Sequence, residues 1–65
     1  MSKKIIQEYL DASQASFLSA QADINAQMMV QDRIGRQRLQ VVMDRLSVLI
    51  DMGNKARTAL GKIDE

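Results

Sequence analysis

Three arginines within six positions, Arg33, Arg36 and Arg38, with Arg45 two turns on, form the densest group of chemically capable side chains in this sequence. Guanidinium groups grip phosphates and carboxylates in a fixed fork, so the cluster Arg33, Arg36 and Arg38 is a candidate anion or nucleic-acid contact. The footprint is small. Asp32 offsets one charge, and neither aromatic, Tyr9 or Phe17, is near enough in sequence to stack a base.

Other reactive chemistry is scarce. The chain has no His and no Cys, which excludes a thiolate or imidazole zinc site and any disulfide. A nucleophilic hydroxyl would need Lys, Asp or Glu as its base, and Ser13, Ser16, Ser19 and Ser47 imply no such pairing. Glu8 and Asp11 share a helix face at i, i+3, and Asp44 and Asp51 lie two turns apart; both pairs read as solvated helix surface. Gly35, Gly53 and Gly61 are isolated, so there is no phosphate-cradling loop and no calcium loop. These residues predict no catalytic, cofactor-binding or metal-binding site, no small-molecule substrate and no enzymatic activity.

The elements that carry these residues are helical. Apolar positions recur at spacings of 3 and 4, strong helix formers fill the gaps, and Pro is absent. Hydrophobic residues make up 46% of the chain and aromatics 3%, an aliphatic mix suited to helix-on-helix packing. One stripe runs Ile6, Leu10, Ser13, Phe17, Ala20, Ile24, Met28. A second runs Leu39, Val42, Leu46, Leu49, Gly53, Ala56, Leu60, Ile63. Ser2 is the expected N-cap of the first helix, and Gly35 the expected left-handed residue that ends it. The two stripes are out of phase by about one residue, as a turn would permit.

The spacing therefore predicts an all-α, antiparallel two-helix hairpin as a single domain over 1–65. Its helices cover about 3–32 and 36–63, with the turn near 32–37. Folding at Gly35 sets Ile24 against Leu46, Leu10 against Leu60, Ile6 against Ile63 and Phe17 against Gly53. One long continuous helix is the alternative, supported by the i, i+4 pair of Asp32 and Arg36. A break at Gly53-Asn54 is a third reading, which the unbroken phase of the second stripe opposes.

Beyond this seam the second helix carries surplus apolar surface. Nine of the fourteen residues from Leu39 to Met52 are apolar, so a single partner helix cannot cover them. Val41, Met43, Val48, Ile50 and Met52 are the expected partner face, and Leu39, Val42, Leu46 and Leu49 the internal seam. On the first helix the small residues Ala12, Ser19, Ala22 and Ala26, with Ser16, offer a second surface for close approach. A chain of 65 residues buries only about 60% of its unfolded surface, and without disulfides the remaining support is regular packing or oligomerisation. The expected role is thus a non-enzymatic interaction or assembly module. A small adaptor, chaperone or structural subunit would fit, forming a coiled-coil-like or four-helix bundle with itself (dimer or higher) or with another helical protein. A small dimeric nucleic-acid-binding or regulatory protein is the alternative.

The net charge of +1 selects no partner. Apolar runs of at most three residues, such as Val48-Leu49-Ile50, predict no membrane span, and Gln7, Glu8 and Asp11 interrupt any signal-peptide core after Lys3-Lys4. A soluble, cytoplasmic chain, or a component of a particle assembled there, is the expectation. In length and periodicity the chain is similar in outline to short helical hairpins such as plasmid-copy-number RNA-binding dimers and the co-chaperones of type III secretion needles. No motif of either family is present, so no residue role is carried over.

Overall fold

The computed structural model describes residues 2–63 and consists of two helices, α1 (Lys3–Met28) and α2 (Arg33–Gly61), packed antiparallel as a hairpin. The expected all-α hairpin forms, rather than one continuous helix, and α2 runs unbroken through Gly53 and Asn54. The rod measures 51 × 14 × 13 Å. Among the described residues no helix is long and apolar enough to cross a membrane.

Capping explains where each helix starts. Ser2 is extended (φ −72°, ψ 148°), and its hydroxyl accepts from the Ile5 N–H at 3.3 Å, satisfying a donor that the first turn leaves open. Asp32 does the same for α2. It is extended, its Oδ1 accepts from the Gly35 N–H at 2.8 Å, and its carbonyl accepts the first helical bond from the Arg36 N–H at 2.9 Å.

The turn therefore lies over 29–32, three to five residues earlier than the spacing suggests. The N–H groups of Met29, Val30 and Gln31 each donate to the carbonyl three residues back, tightening the last turn of α1 before the chain reverses. No described residue has a positive φ, so the reversal needs no left-handed glycine, and Gly35 is the third residue of α2 instead of the end of α1. A Cβ at Gly35 would lie 2.5 Å from Gln31 Oε1; what favours glycine there is the close approach of the turn.

Moving the turn moves the pairing. Asp11 meets Arg57, Gln14 meets Asn54 and Gln21 meets Ser47, so residues at one level have numbers that sum to 68 instead of 70. Gln14, and not Phe17, consequently faces Gly53.

Candidate functional site

The buried side of α2 consists of Gly35, Leu39, Met43, Leu46, Ile50, Gly53, Arg57 and Leu60, each partly or fully buried. Leu39, Leu46, Gly53 and Leu60 are in the expected stripe. Val42, Leu49, Ala56 and Ile63 are not: all four are exposed, and Met43, Ile50 and Arg57 take the alternate places. On α1 the seam runs Lys3, Gln7, Leu10, Gln14, Phe17, Gln21, Ile24, Met28, with Ile6 and Ala20 half-buried at its edge and Ser13 exposed. Both helices are rolled away from their most apolar stripe.

The polar residues of the seam account for that roll. Gln14 is 6% exposed and fills the space over Gly53, its Nε2 donating to the Ile50 carbonyl at 2.9 Å and to Asn54 Oδ1 at 2.8 Å. Its Oε1 is buried without a hydrogen-bond donor and lies where a Cβ on residue 53 would sit, 2.5 Å away. Gln21 Nε2 donates to Ser47 Oγ at 3.0 Å, and Asp11 Oδ1 pairs with Arg57 at 2.8 Å. Rolling α2 back to bury Ala56 and Leu49 would withdraw Arg57 from Asp11 and close the space that Gln14 occupies.

The hairpin is therefore two-sided. Along one edge of the seam lie the glutamines of α1 with Ser47 and Asn54 of α2, and the neighbouring α2 surface (Gln40, Asp44, Asp51, Thr58) is polar. Along the other edge lie Leu10, Phe17 and Ile24, and the α2 residues beyond them are Val42, Leu49 and Ala56, then Met52, Val41 and Val48 by the helix's step of about 100°. These α2 residues form an apolar sector roughly 120° wide and about 22 Å long, with Arg45 near its middle. Val41, Val48 and Met52 are 60%, 55% and 59% exposed. Of the residues expected at a partner face, Val41, Val48 and Met52 are exposed in this sector with Val42 and Leu49 beside them, whereas Met43 and Ile50 lie in the seam.

No family model matches this chain, and searches of curated proteins and of solved structures find no match. The geometry alone carries the functional reading.

The other expected sites are scattered. Ala12, Ser19, Ala22 and Ala26 are exposed along α1, but Ala12, Ser19 and Ala26 recur every seven residues, as the seam does, and so share the helix's outer back, with Ala22 toward the glutamine edge; Tyr9, Ser16 and Ala20 line the apolar side. Arg33, Arg36 and Arg38 are exposed at the start of α2, next to an apolar tip of Met29, Val30 and Ile34, themselves 82%, 76% and 59% exposed. Several carboxylates and hydroxyls are engaged locally. Asp44 accepts from Gln40, Asp51 pairs with Lys55, and the Ser16 and Ser47 hydroxyls donate to carbonyls one turn back. Among the described residues no cluster of three or more metal-ligating side chains occurs.

The feature missing from the sequence reading is the run Gln7, Gln14, Gln21, seven residues apart on one face. A glutamine heptad beside a leucine-phenylalanine-isoleucine heptad marks a seam with one wet edge and one dry edge.

Proposed function

We propose that this chain is a non-enzymatic helical interaction and assembly module whose apolar side docks onto another helical surface. The observation that carries this reading is the continuous exposure of Val41, Val42, Val48, Leu49 and Met52 on one side of a hairpin whose other side is hydrogen-bonded. An apolar helix sector that its own partner helix does not cover belongs against something else. The depth of the core supports the same conclusion. Only Leu60 and Gln14 are buried among the described residues, and no side chain is fully enclosed. Two helices with so thin a seam gain little from each other and much from a third and fourth.

The adaptor, chaperone and structural-subunit roles all use such a surface, and a cytoplasmic setting suits a chain without Cys. Recognition of nucleic acid by Arg33, Arg36 and Arg38 has weaker support, because those side chains share the tip with three exposed aliphatic residues.

The test is the triple substitution of Val41, Val48 and Met52 to Lys. Light scattering should show that assembly is lost. Unchanged assembly by the triple variant would show that the apolar side is not the docking surface.

A further inference from the structure

We propose that the occupant of the apolar side is a second copy of this chain. The two copies are related by a two-fold axis along the length of the rod, so that α2 of each lies over α1 of the other. The proposal rests on the docking reading above and adds its partner and geometry.

Area gives the first argument. The chain exposes 5104 Å2. A folded monomer of this size exposes about 4,200 Å2 by the surface-to-mass scaling of compact proteins. The excess of roughly 900 Å2 is close to the 800 Å2 or so that each partner contributes to a stable interface.

Side-chain size gives the second. Levels in the hairpin sum to 68, and rotation about the long axis preserves level. Leu49 of one copy then comes over Ala20 of the other, within one residue of the same level, and Met52 over Ser16. Farther along, the small Ala59 comes under the large Tyr9. Large residues on α2 thus meet small residues on α1 near the middle, and the order reverses toward the termini. The alternative axis, perpendicular to the rod, would stack α2 on α2 and α1 on α1. That arrangement sets bulk against bulk and leaves the small residues of α1 facing a gap, which close packing disfavours.

Charge gives the third. Arg45 is the cation at the middle of the α2 apolar sector, and a guanidinium covered by a partner needs a carboxylate opposite it. Asp23 sits at the level of Arg45, is exposed, and lies on the corresponding flank of α1. Rotation about the long axis brings Arg45 of each copy to Asp23 of the other, twice, as an isologous interface requires.

The experiment is sedimentation equilibrium of the full chain, its R45D variant, its D23R variant, and an equimolar mixture of the two variants. The wild type should be a dimer. Each variant alone brings like charges together at both pairs and should dimerise at least ~10-fold more weakly. The mixture can form a heterodimer in which both pairs are opposite, so dimer should return. Circular dichroism on each sample confirms that the variants remain helical. A wild-type dimer whose mixed variants stay monomeric would overturn this geometry. A wild-type chain that is monomeric and molten, binding the dye ANS, would overturn the second copy as occupant while leaving the docking reading in place. A cooperatively folded monomer indifferent to the triple Lys substitution would overturn both.

Discussion

Gln14 is the residue on which the seam turns. Its amide spans the hairpin, donating to the Ile50 carbonyl and to Asn54, and it occupies the hollow that Gly53 leaves. A buried polar side chain at a seam position fixes alignment more than it adds stability, because any slip leaves its hydrogen bonds unmade. Gly53 costs helix propensity, about 1 kcal/mol relative to Ala, and that cost is offset only while Gln14 fills the space. Gly53→Ala should therefore destabilise the wild type by about 1 kcal/mol, by displacing a hydrogen-bonded amide. In a Gln14→Ala background the same substitution should stabilise by about 1 kcal/mol, because no side chain remains to be displaced. Denaturant unfolding of the four proteins measures this; a coupling energy near zero would mean that Gln14 and Gly53 do not pack as described. The Asp11–Arg57 pair is a lesser contributor. Asp11 is exposed and the Arg57 side chain partly so, at 50% and 38%, so Asp11→Asn should shift stability by less than about 1 kcal/mol, checked in the same assay.

Among the elements, the turn shows what local sequence can and cannot specify. Ser2 was legible as an N-cap because nothing competes with it at the start of α1. Asp32 carries two signals at once. A carboxylate three residues before an amide caps a helix, and the same carboxylate four residues before Arg36 supports a helix running through. The second signal favours one continuous helix, and Gly35 read as a left-handed helix end draws the turn toward 32–37; capping by Asp32 is what the chain uses. Asp32→Ala should cost about 1 kcal/mol of hairpin stability, whereas Arg36→Ala should cost a few tenths of that. Equal losses in thermal unfolding would mean that pairing with Arg36, and not capping of Gly35, holds the start of α2. The roll of α2 was hidden for a related reason. Leu39, Leu46, Gly53 and Leu60 belong to two candidate stripes, one completed by Val42, Leu49 and Ala56, the other by Met43, Ile50 and Arg57. Hydrophobicity favours the first stripe, and only the partners on α1 select the second. The glutamine heptad 7, 14, 21 was the available clue.

For the whole molecule, helical class, the hairpin and the excess of apolar surface on α2 were all legible from spacing and composition. Which residues make up that surface was not, because the assignment depends on how two helices roll against each other. The consequence of the roll is a rod with one hydrogen-bonded side, one apolar side and almost no enclosed core. In the proposed assembly such a hairpin gains stability where the apolar side is covered, which would link its folding and its association by mass action. The direct measurement is thermal unfolding of the wild-type chain by circular dichroism over a hundredfold range of concentration. A midpoint that rises steadily with concentration, and a triple Lys variant of Val41, Val48 and Met52 that shows no such rise, are the results expected. A sharp, cooperative transition at the same temperature throughout, unchanged in the variant, would contradict the account.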